Sequence, residues 1–148
     1  MKATLLLKKD HENIESRCNT LTNGASKDKD GQFAELCREI RMHLQLEQEL
    51  FYPELQNSVV PSAIDAGNRA VLEHEEVDDL MRELAKLGGQ NKLFSSRLAA
   101  LVEKLRSHIE FEEDVVFEEA RKVLTEYRLE ELGLEMEDRR QILQITAA

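Results

Sequence analysis

The stretch FAELCREIRMHLQLEQEL, residues 33–50, decides the fold. At 100° per residue, Phe33, Leu36, Cys37, Ile40, His43, Leu44, Glu47 and Leu50 fall in one sector. A helix with such a stripe must bury it. Only His43 and Glu47 interrupt the apolar run. Leu98, Leu101, Val102, Leu105, His108, Ile109, Glu112 and Val115 repeat the stripe with the same spacings. Two long helices therefore each carry one histidine and one glutamate, a single turn apart, on the face that packs inward.

The likeness extends outward. HLQLEQELFY (43–52) lines up with HIEFEEDVVF (108–117), and DHENI (10–14) with EHEEV (73–77). The chain reads as two copies of one helical hairpin. Each copy has a histidine on its first helix and His-x-x-x-Glu on its second. A first helix over about 4–21 stops at Asn23-Gly24, and residues 28–31 form a polar connection. Asp30 is placed to cap a second helix over about 32–56, whose last turn Pro53 kinks or ends. After Pro61 and Ser62 a third helix runs over about 63–87 to Gly88-Gly89. Asn91 is placed to cap a fourth, over about 92–124. Residues 130–143 read as a short, charged, peripheral helix with Gly133 as its weak point.

The short connections make neighbouring helices antiparallel. The expected architecture is an all-α, up-down-up-down four-helix bundle with a short C-terminal helix. It forms one domain over 1–148, with the bundle at 3–125 and the tail at 126–148.

Composition agrees. A chain of 148 residues suits one domain. With 41% hydrophobic and 34% charged residues it is globular, and two prolines, six glycines and no tryptophan favour helices. The net charge of −10 repels nucleic acids and anionic membranes, so neither is an expected partner. Leu5-Leu6-Leu7 is too short for a signal-peptide core, and no stretch could span a bilayer. Two cysteines fit a reducing cytoplasm. The expectation is a cytoplasmic monomer or weak homo-oligomer.

The four histidines fall one per helix. His11 and His43 stand equally far from a loop near residue 27, and His74 and His108 from a loop near residue 91. Antiparallel packing then sets each pair side by side. A carboxylate on an apolar face costs several kcal/mol unless it is paired or bound to metal. Glu47 and Glu112 would face one another, and without cations at least one should take a proton. Two cations remove the penalty, each taking two histidines while both glutamates bridge. An oxo or hydroxo bridge would make five ligands per metal and leave one position open. Imidazole with carboxylate suits iron or manganese, and zinc fits chemically. The expected metal ligands are His11, His43, Glu47, His74, His108 and Glu112. No zincin motif is present, since neither His11-Glu12 nor His74-Glu75 is followed by a histidine in place, and no Glu-x-x-His pair of ferritin-like proteins occurs.

Other residues are read more blandly. Asp78, one turn after His74, is either a fifth protein ligand or a group that holds a histidine ring. Asp10, Glu73, Glu75 and Glu76 read as solvated helix-face charges, as do Glu118 and Glu119. Tyr52 reads as a packed end-of-bundle aromatic ahead of a group lining an access path. Phe111, Phe117, Leu44, Leu46 and Ile109 read as core. Cys18 and Cys37, symmetric about the first loop, read as small apolar residues ahead of a redox pair.

LLKKDHENI from Leu6, HLQLEQELFYPEL from His43, LEHEEVDDL from Leu72 and HIEFEEDVVF from His108 together resemble the hemerythrin-like HHE cation-binding family. The resemblance covers about residues 3–125, and LEELGLEMEDR at 129–139 is similar to the family's closing segment. It implies an oxygen-bridged di-iron centre on the six residues named above. It also implies roles among oxygen binding and sensing, nitric oxide response, iron–sulfur repair, peroxide removal and iron sensing. The oxygen-carrying members have two histidines four apart on the third helix, whereas His74 is followed here by Asp78, which puts oxygen carriage in doubt. The extra domain of the cluster-repair proteins is missing from these residues. The expected function is a non-haem di-iron protein that binds oxygen, peroxide or nitric oxide in redox sensing or stress response. A peroxide-decomposing enzyme and an iron-dependent regulatory or iron–sulfur-repair module stay open, as does a metal-free helical interaction domain. Spacing does not decide whether the chain is an enzyme.

Overall fold

Buried stripes, caps and breakers set the helices of the computed structural model, which describes residues 1–24 and 28–147. Helix α1 is Ala3–Thr22. Helix α2 covers 29–56 in three consecutive pieces, Lys29–Leu46, a π-helical turn Glu47–Phe51, and Tyr52–Gln56. Helix α3 is Pro61–Leu87, with its proline in the first turn, where no amide donor is needed. Helix α4 covers 94–123 as Phe94–Phe111, a second π-helical turn Glu112–Val116, and Phe117–Val123. Helix α5 is Glu126–Ala147. No strand occurs among the described residues.

Caps differ in detail from expectation. Asp28, not Asp30, caps α2, accepting from the Gly31 amide at 3.0 Å, so the helix begins earlier. Asp30 instead accepts from the Gly89 amide at 2.7 Å and ties one connection to the other. Asn91 accepts from the Leu93 amide at 2.9 Å, and α4 starts at Phe94. Gly88 ends α3 at φ +75°, a conformation that L side chains rarely adopt. The centre of the first connection, near residue 27, lies outside the described residues.

The π-helical turns correct the expected stripes. Each inserts one residue just after the buried glutamate, which turns the rest of the helix by about one position. The buried residues are therefore Phe51, Tyr52 and Leu55 on α2, and Val116, Phe117 and Ala120 on α4. Leu50 is half-buried and Val115 is exposed, contrary to a uniform 100° rotation. Pro53 is not the cause: Glu118 occupies its place in the second copy, and the same turn forms there.

Two apolar layers result. One gathers Ile14, Cys18, Phe33, Leu36, Ile40, Val77, Met81, Leu98 and Leu101. The other gathers Leu7, Phe51, Tyr52, Leu55, Ala66, Val116 and Phe117. Every histidine and the two buried glutamates lie where one layer gives way to the other. Helix α1 packs on α2, α4 and α5, and α3 packs on α2 and α4.

The tail expected to be short and peripheral is instead a helix of 22 residues that completes the second layer. Leu129, Leu132 and Met136 are buried there. Gly133 is a contact rather than a weak point, because a Cβ at that position would lie 1.7 Å from the Met1 carbonyl oxygen. The near-even spread of charge around this helix hid its buried side. No helix among the described residues is long and apolar enough to cross a membrane.

Candidate metal centre

One buried residue from α1, two from α2, one from α3 and two from α4 meet between the apolar layers. His11, His43, Glu47 and Glu112 offer ligand atoms that all lie within 4.8 Å of one another, and so do Glu47, His74, His108 and Glu112. Both glutamates belong to both groups. All six residues are buried, with Glu47 and Glu112 at 0% exposure. The six positions expected from the sequence are the six brought together.

Each histidine turns Nε2 inward. His11 Nε2 lies 2.8 Å from Glu112 Oε1, and His43 and His74 Nε2 lie 3.1 and 3.2 Å from Glu47 Oε1. His108 Nε2 lies 3.5 Å from Glu112 Oε2. The rings pair edge to face in both halves, His11 with His43 and His74 with His108, each at 4.9 Å between centroids.

Several inward atoms are close without hydrogen-bond geometry. His43 Nε2, His108 Nε2 and both Glu47 oxygens are buried and have no hydrogen-bond partner among the described residues. Buried polar atoms left in this way are costly, and a set of lone pairs converging on one volume is what a cation requires. Imidazole nitrogens and carboxylate oxygens, with no thiolate, form a donor set suited to iron, manganese or zinc.

The outward nitrogens reveal residues that sequence reasoning missed. His43 Nδ1 donates to Asp10 at 3.0 Å, and His108 Nδ1 to Glu73 at 2.7 Å. Asp10 and Glu73 are therefore buried partners that fix the rings, not solvated charges. Each is held in turn by an arginine: Arg140 of α5 reaches Asp10 at 2.6 Å, and Arg69 reaches Glu73 at 3.1 Å. A signal was present, since the duplication aligns Asp10 with Glu73, an acid just before a histidine in both halves. His11 Nδ1 donates to Glu113 at 2.7 Å.

Tyr52 also belongs to the site. Its ring is fully buried beside His74, with centroids 5.0 Å apart. Its hydroxyl lies 2.9 Å from His74 Nε2 and donates a short hydrogen bond to Glu112. The equivalent residue of the second copy, Phe117, stacks on His11 without a hydroxyl. Asp78 stands apart, paired with Arg82 at 2.5 Å on the outer face. Glu119, expected to be solvated, accepts from Ser62 at 2.8 Å. Cys18 and Cys37 are buried free thiols in the first apolar layer. Leu44, Leu46 and Phe117 are core, whereas Phe111 and Ile109 are half-buried.

Electrostatics without a cation leave Glu112 as the carboxylate of the pair that stays ionised. Burial opposes ionisation of Glu112, but Glu47 and the imidazoles of His108 and His11 outweigh it and hold the carboxyl well below the usual range. Burial likewise opposes charge on the histidines. Glu47 and Asp10 nevertheless lift His43 well above an ordinary imidazole, and Glu112 and Glu73 lift His108 to about 10. His43 and His108 are thus held towards the protonated form. The Tyr52 phenol is pushed far up by burial and by the charges of Glu112 and Glu47, so it keeps its proton.

A cleft of about 370 Å³ reaches His74 from the surface between α2 and α3, lined by Leu44, Gln45, Gln48, Glu75 and Asp78 among others. A larger groove of about 880 Å³, beside Phe33, Cys37, Arg41 and Leu143, touches none of the six residues.

The model of the Hemerythrin HHE cation binding domain matches residues 3–120. Among solved structures, a hemerythrin HHE cation binding domain-containing protein from Mycobacterium kansasii is similar. It shares 25% identity at a TM-score of 0.87, over 99% of this chain and 90% of that one. No curated protein matches significantly.

Proposed function

The chain belongs to the hemerythrin HHE cation-binding family, and from that premise we propose that it is a non-haem di-iron protein that binds oxygen, peroxide or nitric oxide. The observation that carries this reading is the sharing of both glutamates by two four-residue groups. His11 and His43 would hold one ion, His74 and His108 the other, and Glu47 and Glu112 would bridge them. Bound iron would supply redox change and an open position for a small ligand. The residues of the chain position it and exclude bulk water. Asp10, Glu73 and Glu113 orient imidazoles. Phe51, Phe117 and Leu7 form the dry layer on one side.

We read the four long helices as an up-down-up-down bundle within a single domain spanning 1–148. On α1 and α3 the second apolar layer precedes the histidine, and on α2 and α4 it follows, which supports alternating directions. Two free thiols suit a cytoplasmic setting, and the net charge of −10 disfavours nucleic-acid partners. Oxygen or redox sensing or a stress response is the role we favour.

Tyr52 supports a second reading, an enzyme that converts two molecules of hydrogen peroxide to two of water and one of oxygen. Breaking the peroxide bond to form water takes protons, and Tyr52 places an O–H within the site. Metal quantification joined to an optical spectrum tests the main reading. About two irons per chain with visible charge-transfer bands, perturbed by oxygen, nitric oxide or peroxide, is the expected result. Loss of both bands and iron in His74→Ala and Glu47→Gln should follow. Oxygen evolution from added peroxide, slowed in Tyr52→Phe with iron content retained, would select the enzyme.

A further inference from the structure

We infer that the two cation positions are unequal, and that the ion held by His74 and His108 is the readily exchanged one, reached through the cleft between α2 and α3. This rests on the two-ion reading above and adds which half of the site is labile.

Two independent differences between the duplicated halves fall on one residue. The first concerns the outward nitrogen. Three histidines donate Nδ1–H to a carboxylate, His11 to Glu113, His43 to Asp10 and His108 to Glu73. His74 is 2% exposed, and its Nδ1 has no hydrogen-bond partner among the described residues. The duplication gives the reason. Glu113, which serves His11, follows directly after Glu112; the residue directly after Glu47 is Gln48. Gln48 lines the same cleft as His74 but carries no charge. A carboxylate on Nδ1 makes an imidazole a better ligand and fixes its ring.

The second difference concerns the inward nitrogen. Tyr52 places its hydroxyl 2.9 Å from His74 Nε2, the atom a cation needs, while its counterpart Phe117 offers His11 only a ring face. Binding at His74 must displace that contact, and binding at His11 has no such competitor. The surface cleft leads to this same imidazole, so solvent and small chelators approach the ion at its weaker ligand. Glu113 covers the corresponding nitrogen of His11.

The test is release of iron. The full chain is loaded anaerobically with ferrous iron, the bound metal is counted, and its transfer to a ferrous chelator is followed by absorbance. Two ions should leave in two phases of about one ion each. Gln48→Glu restores the missing carboxylate at an exposed position and should slow the fast phase about 10-fold or more, leaving the slow phase unchanged. Tyr52→Phe should also slow the fast phase. Glu113→Gln should speed the slow phase until the two merge. Helix content by circular dichroism checks that each variant is folded. Two ions leaving in a single phase, or a fast phase indifferent to Gln48→Glu, would overturn the inequality while leaving the di-iron reading intact. Fewer than two ions bound by the parent chain would overturn both.

Discussion

Removing the cations should lower the melting temperature of the bundle, and the size of the drop follows from the site. The six candidate ligand side chains come from four helices, so no unfolded segment holds either four-residue group. Cations that bind only the folded chain stabilise it by mass action. At free cation about 100 times the dissociation constant, each site adds about 2.7 kcal/mol, and two sites add about 5. A domain of this length shifts by roughly 2–4 °C per kcal/mol, so the holo form should melt about 10–20 °C above the chelated form. Each further tenfold in cation should add about 1.4 kcal/mol per site, roughly 6–11 °C for both. Differential scanning calorimetry over a series of buffered ferrous concentrations measures this directly. Glu47→Gln, which alters a group shared by both sites, should abolish most of the dependence. A melting temperature indifferent to cation and chelator would refute the claim that these buried donors converge to bind metal.

Three further outcomes are expected. Asp10→Asn and Glu73→Gln, which take the carboxylates from His43 and His108, should each weaken cation binding about 10–100-fold by competition titration, without loss of helix content. Leu132→Ala in α5, at 0% exposure, should cost about 2–5 kcal/mol in urea unfolding, whereas a truly peripheral helix would give almost no change. Burial pushes the Cys18 and Cys37 thiols from 9.0 up to about 11, so both should resist alkylation near neutral pH until the chain unfolds. Since the neutral thiol is favoured in the fold, their contribution is complete below pH 9.0 and is lost as pH rises towards about 11. A denaturation series across that window should show falling stability, less steep in Cys18→Ala.

The six candidate ligands were legible as a cluster because a rare residue type was repeated in register. Four histidines and two glutamates at matched heights on duplicated apolar stripes leave few other meanings. What surrounds them was harder to see, for identifiable reasons. Glu73 lies in an acidic run and Asp10 among the exposed charges Lys8, Lys9 and Glu12, so residue type alone could not separate them from solvated groups. Only their shared register before a histidine could. Tyr52 was read as packed, but its place beside His74 and Glu112 was not seen, because uniform helical rotation carries it away from the sector of Glu47. The π-helical turn returns it by one residue, and hydropathy does not signal such a turn. Helix α5 was underestimated because Leu129, Leu132 and Met136 sit among charges that cancel any stripe.

The π-helical turns join fold and site into one argument. In both copies the turn begins at the shared glutamate, Glu47 or Glu112, and the residue five on meets a histidine of another helix, Tyr52 meeting His74 of α3 and Phe117 meeting His11 of α1. An uninterrupted α-helix would present Phe51 and Val116 there instead, and would turn Tyr52 towards the rim. The inserted residue costs hydrogen-bond regularity at the centre of two long helices, a cost that packing alone gives no reason to duplicate. It recurs without the proline, and it sets an aromatic ring against an imidazole in each half. The local irregularity is therefore tied to the candidate site, and the chemical difference it delivers, a hydroxyl in one half and none in the other, joins the Glu113–Gln48 difference in making a duplicated scaffold asymmetric at its centre.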